Sequence, residues 1–325
     1  MRLKLSLALT IVLAMSACSP SEKVSPDTLS AAVNAYHGAN YEEAMRLLQP
    51  IAEGGDAAAQ FMVADMYAKG QGVGVDNALA AEWFEKAATN GSVEAQYALA
   101  RFYLGRQSDR EDKTKGLNWL ETAAKNDHPP AMHLMGITYI RGEAVEKDAA
   151  KGVDLLTQSA DAGNADAMLT LGFLHFHGEG VEQDKEQAAL YYYTAAIQDN
   201  EEARRRLREL AAVGNKEAQA GLGFLYKDGV GVEQNPSEAA KWVLAAAQQG
   251  HAVAQYQIGQ AYGAGQGFEQ DYVQAHMWVN LSAASGYETA IERRDVFAKL
   301  MTPEQIAEAQ RFAREWVPQP DVVPE

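Results

Sequence analysis

Six positions set the register of this chain. Tyr67, Tyr103, Tyr139, His175, Tyr226 and Tyr262 are separated by 36, 36, 36, 51 and 36 residues. Two further columns run in phase with them: Ala59, Ala95, Ala131, Ala167, Ala218 and Ala254, and Asp76, Asp112, Asp148, Asp184, Asn235 and Asp271. A period of this length, kept by three columns at once, marks stacked two-helix units that bury a core only against their neighbours. The expected fold is all-α, a right-handed α-solenoid of antiparallel helix pairs. Such an array offers a long surface for recognition instead of one deep cleft.

Each unit reads alike. Its first helix carries small residues before the aromatic column, as at Ala95-Gln96, Leu99-Ala100, Leu171-Gly172 and Leu222-Gly223, which lets helices approach closely. A loop such as Gly70-Gln71-Gly72-Val73 or Gly229-Val230-Gly231-Val232 supplies the positive φ that ends the helix. The Asp/Asn column then caps the second helix. That helix presents an aromatic residue followed by paired alanines: Trp83 with Ala87 and Ala88, Trp119 with Ala123 and Ala124, Trp242 with Ala246 and Ala247.

This pattern resembles the Sel-one-like repeat (SLR) family, relatives of tetratricopeptide repeats with a longer loop between the helices, over residues 56–286. Residues 56–199 read as repeats 1 to 4 and 215–286 as repeats 5 and 6, preceded at 27–55 by a degenerate tetratricopeptide-like helix pair. Residues 287–316 resemble the closing helices of bacterial members. Independently, Thr302, Pro303 and Gln305 read as N-cap, N1 and N3 of a last helix. The tail 317–325 carries three prolines and is expected to be disordered.

One step breaks the period. The 51-residue interval exceeds 36 by 15, and the surplus falls at 200–214, where Glu201 to Leu210 read as an inserted helix. Its arginines form either a dock for an acidic ligand or a solvated face on which Glu201 and Arg205, Glu202 and Arg206, and Arg205 and Glu209 pair at i,i+4. The insertion is expected to bend the superhelix into two lobes.

The start of the chain bears on location. Arg2 and Lys4 precede an apolar stretch at residues 5–15, and Ser16-Ala17 stand before Cys18, the only cysteine in 325 residues. Residues 1–17 read as an export signal whose apolar run is shorter than the roughly 20 residues of a membrane span. Met15-Ser16-Ala17-Cys18 resembles a bacterial lipoprotein signal, which implies lipidation of Cys18, cleavage before it and a tether at 18–26. Ser19, where an Asp would imply retention at the inner membrane, implies an outer-membrane lipoprotein, expected to face the periplasm. An ordinary signal, with Cys18 incidental, is the alternative. Loss of Arg2 and Lys4 takes the formal charge from −16 to −18. An acidic domain of this kind is repelled by phosphate, so nucleic acid is not an expected ligand.

Catalytic patterns are weak. The glycine triplets at Gly70, Gly72 and Gly74 and at Gly263, Gly265 and Gly267 follow helices, recur with the repeat and lack a P-loop lysine. His175 and His177 stand two apart, on different faces of a helix. There is no Gly-x-Ser-x-Gly and no Ser-x-x-Lys. The resemblance includes cysteine-rich relatives for which β-lactam hydrolysis has been proposed, but this chain lacks their cysteine pairs. No enzyme activity, metal or cofactor is expected.

A protein partner is the remaining expectation, either an envelope component or a host protein at the cell surface. If Ala59, Gln60, Val63, Ala64 and Tyr67 form the structural face of a first helix, the position opposite is that of Asp65. Its column runs Asp65, Arg101, Ile137, Phe173, Phe224 and Gln260. The resemblance implies that first helices line the concave surface. The candidate binding residues are therefore Ile137, Phe173 and Phe224 with Leu134 beside them, and Arg101, Arg141 and His133 for specificity. The alternative is that the three apolar members pack against neighbouring helices.

Overall fold

A computed structural model describes residues 26–105, 110–320 and 322–324, and among these there is no strand. The export signal and Cys18 lie outside the described residues. The chain falls into two compact units that divide between Leu99 and Ala100. The first holds α1 (Pro26–His37), α2 (Tyr41–Glu53), α3 (Ala57–Lys69), α4 (Asn77–Thr89) and the opening turns of α5 (Val93–Tyr103). The second continues with α6 (Arg110–Lys125), α7 (Pro129–Arg141), α8 (Ala149–Asp161), α9 (Ala165–His177), α10 (Lys185–Ala196) and α11 (Glu201–Ala212). It closes with α12 (Lys216–Asp228), α13 (Pro236–Gln248), α14 (Ala252–Ala264), α15 (Tyr272–Ala284), α16 (Glu288–Ala298) and α17 (Pro303–Glu315). Consecutive helices pack as pairs, α7 on α8, α9 on α10, α12 on α13 and α14 on α15, which is the α-solenoid arrangement.

One hydrogen-bonded turn accounts for two of the sequence columns. The backbone carbonyls of Tyr67, Tyr139, His175, Tyr226 and Tyr262 accept from the N–H groups of Asp76, Asp148, Asp184, Asn235 and Asp271 at 2.8 to 3.1 Å. Between them, Gly70, Gly142, Gly178, Gly229 and Gly265 end the first helix at φ of 67° to 73°. The Asp or Asn side chain then accepts the free N–H groups of the next helix's first turn, as Asp76 does from Ala78 and Leu79. Asp112 departs from the expected cap. It lies inside the first turn of α6, which runs 16 residues against the 13 of α4 because it begins ahead of the column.

The alanine and glycine columns set helix spacing. A Cβ added at Gly172 would lie 2.5 Å from the Tyr192 ring, and one at Gly223 2.6 Å from Val243. The absent side chain on α9 is what seats Tyr192 of α10 in the core.

The inserted helix is present as α11, capped by Asn200, whose side chain accepts from the Ala203 N–H at 2.9 Å. It does not separate two lobes. Ala203, Leu207, Leu210 and Ala211 are buried in the same cluster as Leu171, Leu174, Tyr192, Leu222 and Leu225. Helix α11 touches both α10 and α12, which also touch each other. An apolar face, with each leucine contributing about 1.5–3 kcal/mol of burial, makes the insertion part of the core.

At the far end Thr302 and Gln305 form the expected capping box on α17. Beyond it, the described tail residues 317–320 and 322–324 make contacts that their prolines do not suggest. Trp316 packs edge-on against Trp278 of α15, with ring centroids 6.2 Å apart. The Gln319 N–H donates to the Gln248 carbonyl at 2.9 Å, and the Val322 carbonyl accepts from the Gln219 side chain at 2.5 Å. These contacts come from hydrogen bonds that α13 and α12 supply, which the tail's own composition does not encode.

Candidate partner-binding groove

The second unit contains an apolar groove of about 370 Å³ built by four helices and one loop. Helix α7 contributes Ile137, Ile140 and Arg141; α9 contributes Leu169, Thr170, Phe173 and Leu174; α10 contributes Tyr192; α11 contributes Glu202 and Arg206. Glu179 enters from the loop after α9. Buried Leu174 and Tyr192 tie this wall to the core, while Phe173 is 38% exposed.

Charge at the mouth is paired. Arg206 Nε lies 2.9 Å from Glu202, and Arg205 bridges Glu202 and Glu209. The Arg205 and Arg206 guanidiniums hold the Glu202 carboxyl below the usual carboxylate range. The expected Glu201 to Arg205 pairing is replaced by these contacts, and Arg204 turns instead to Asp199 at 2.8 Å. Arg206 of α11 thus pairs with Glu202 in a mixed-charge rim.

Of the candidate residues, Ile137, Arg141 and Phe173 meet in this groove. His133 stands one turn away on α7, its Nε2 3.0 Å from Thr170 Oγ1. Because the Thr170 hydroxyl donates to the Asp166 carbonyl, His133 Nε2 carries the proton and donates. Burial lowers the His133 pKa, with Asp166 pulling the other way. Arg101 and Leu134 line a separate groove of about 710 Å³ with Leu104, Lys113 and Leu117. Phe224 is half-buried, edge-on to Tyr193 at 6.3 Å, and packs on the core around Val243 and Trp278. At the ends of the column, Asp65 in the first unit accepts from the Tyr36 hydroxyl and pairs with Lys69 at 2.8 Å. In the second, Gln260 donates to the Tyr256 hydroxyl at 2.7 Å.

Sequence reading missed Tyr192, Leu169 and Ile140. Ile140 and Leu169 stand on α7 and α9 but beside the single column that was drawn, and a column along first helices cannot register a wall supplied by α10 and α11. The one signal available was the tyrosine run at 191–193, where Tyr192 takes the place held by Leu156 and Val243 in other units.

His175 stacks on Tyr191 at 5.6 Å between centroids, and His177 packs against Phe173 at 4.2 Å, so the two rings serve different contacts. Among the described residues no cluster of His, Cys, Asp and Glu has a metal-binding arrangement. None of their helices is long and apolar enough to cross a membrane.

Helix pairs stacked on a 36-residue period, with grooves between neighbouring pairs of the second unit, define an α-solenoid of the repeat-scaffold class. The Sel1 repeat family model matches residues 36–56, 57–92, 93–128, 129–164, 165–200, 216–251 and 252–287. The chain belongs to the Sel1-repeat family, whose members are generally protein-interaction scaffolds. The matches leave out 201–215, where α11 lies. Among solved structures, the chain is similar to a Sel1 repeat protein from Oxalobacter formigenes, at 26% identity and TM-score 0.51, covering 79% of this chain and 99% of that one. It also resembles c5321, a protective antigen of uropathogenic Escherichia coli with an SLR fold, at 26% identity, TM-score 0.42 and coverage of 90% and 76%. A third likeness is to the immunity protein Pa5087 from Pseudomonas aeruginosa, at 21% identity, TM-score 0.33 and coverage of 70% and 81%. No curated protein matches the chain.

Proposed function

We propose that this chain is a non-enzymatic adaptor of the bacterial cell envelope, lipid-anchored through Cys18 at the outer membrane and facing the periplasm. It holds a protein partner through the groove around Ile137, Phe173 and Tyr192. The observation that carries this reading is the meeting of Ile137 and Phe173 in a groove whose mouth is ringed by Arg141, Glu179, Glu202 and Arg206. An apolar side chain of a partner fits such a site, and the paired charges select its flanking residues. One buried Leu or Phe contributes about 1.5–3 kcal/mol, whereas association costs about 4–15 kcal/mol. Tight binding therefore requires contacts beyond this groove, and the groove around Arg101 and Leu134 is a second place for them.

The test is capture from envelope extract on the immobilised chain from Ser19 onward, compared with Phe173→Ala and Ile137→Ala. The expected outcome is one retained protein that both variants lose by tenfold or more, with Phe173→Ala leaving the melting temperature within about 2 °C because the ring is partly exposed. Equal retention by both variants would remove the groove from the reading. Cys18→Ser should move the chain from the membrane to the soluble fraction. Protease digestion of intact cells separates a periplasmic domain, which is protected, from a surface-exposed binder of a host protein, which is cut.

A further inference from the structure

The C-terminal segment lies on residues of the second unit that do not line the groove around Phe173, and its contacts are of a particular kind. Trp316 and Pro318 sit over Gly250, where an added Cβ would come within 3.6 Å and 3.9 Å of them. The next contacts are the Gln319 N–H on the Gln248 carbonyl and the Val322 carbonyl on Gln219 Nε2. The segment therefore runs from α15 past the α13–α14 turn to the start of α12, held by main-chain groups and shape.

Gln219 is built to receive it. The side chain is fully buried. One N–H donates to the Ala211 carbonyl at 3.2 Å, and its Oε1 accepts from Gln249 at 2.7 Å. Gln60 makes the same pair of bonds in the first unit, to the Ala52 carbonyl and from Asn90. At Gln219 the second N–H is spent on the Val322 carbonyl. The tail's sequence suits this edge: Gln319 must keep its N–H and is not proline, while Pro318 and Pro320 on either side fix φ near the extended range.

We propose that this edge, from Trp278 past Gly250 to Gln219, is a docking site for an extended polypeptide segment of Pro-x-Pro type. Such a segment donates one N–H between the prolines and accepts through a carbonyl three residues on. The chain's own residues 317–320 and 322–324 fill the site in cis, and a partner segment of that chemistry enters by displacing them. Tethering gives the resident tail an effective concentration of about millimolar, so the site is closed to weak competitors.

The test uses a fluorescent synthetic peptide of residues 317–325 against the full chain and its Gln319→Pro variant, which removes the N–H donor without touching the helices. The expected result is saturable binding to the Gln319→Pro chain at least tenfold tighter than to the unaltered chain, and no binding by a peptide that itself carries Gln319→Pro. A chain ending at Trp316 should bind the peptide as the variant does. Hydrogen exchange on the unaltered chain should show the Gln319 amide protected. Equal binding to altered and unaltered chains, absence of binding to the chain ending at Trp316, or an unprotected Gln319 amide would each overturn the proposal.

Discussion

Ala144 holds a φ of 65° at the loop position that Gly72, Gly180, Gly231 and Gly267 take in other units. A side chain in that region costs about 1–2 kcal/mol, and replacing it with glycine returns about 0.4–1 kcal/mol to the unfolded chain. Ala144→Gly should therefore stabilise the protein by about 0.5–1 kcal/mol, read from the urea midpoint. His276 gives a second expectation. It is 2% exposed, its Nδ1 has no partner, and burial, with Arg294 beside it, lowers its pKa below the ordinary 6.5. The unfolded ring then binds a proton that the folded ring refuses, so stability is full above about pH 6.5 and falls as pH drops toward the folded value. The melting temperature should decrease between pH 7 and pH 5, and His276→Gln should flatten part of that slope. At this scale the caps were legible, because Asp and Asn before a helix have one common use. Tyr192 was not, because its role depends on the space left by Gly172 on another helix.

In the pairs α9–α10, α12–α13 and α14–α15, a glycine of the first helix lets a side chain of the second approach closely: Gly172 with Tyr192, Gly223 with Val243 and Gly259 with Val279. In the pair α9 and α10, Gly172→Ala would place a methyl 2.5 Å from Tyr192, a residue that also forms a wall of the groove. A destabilisation of about 1–3 kcal/mol is expected, with Tyr192 displaced into the groove and partner affinity reduced in the same variant. Urea titration and binding to the captured partner check the two effects separately. Element boundaries were readable wherever a glycine loop preceded a cap. The start of α6 was not, since Gly105 is followed by Arg106-Gln107-Ser108 and the usual turn sequence is missing. The groove was half legible: spacing found Ile137 and Phe173 on their own helices, but their joining with Leu169 and Tyr192 is a property of packing.

In the second unit as a whole, the core runs from Leu156 to Leu225 without interruption at α11. Leu207→Ala should cost about 2–5 kcal/mol and lower hydrogen-exchange protection in α9, α10 and α12 together. Loss confined to α11 would mean that the insertion is an appendage. The period announced the solenoid, since stacked units must repeat whatever they bury. The tail's order was hidden, because three prolines in a polar stretch record nothing about the carbonyl of Gln248 or the amide of Gln219 that hold it.

The bond from each cap residue back to a carbonyl nine positions earlier is made by main-chain atoms, so the loop's length is fixed while its side chains are free. His175 can stand for a tyrosine there, yet one residue added or removed inside the loop would break the bond. Fifteen extra residues placed between units leave every later loop with the same internal count. Lengthening by gene duplication or insertion is therefore confined to the junctions between units, where any number of residues able to form one more amphipathic helix can be accepted without editing the remainder of the gene.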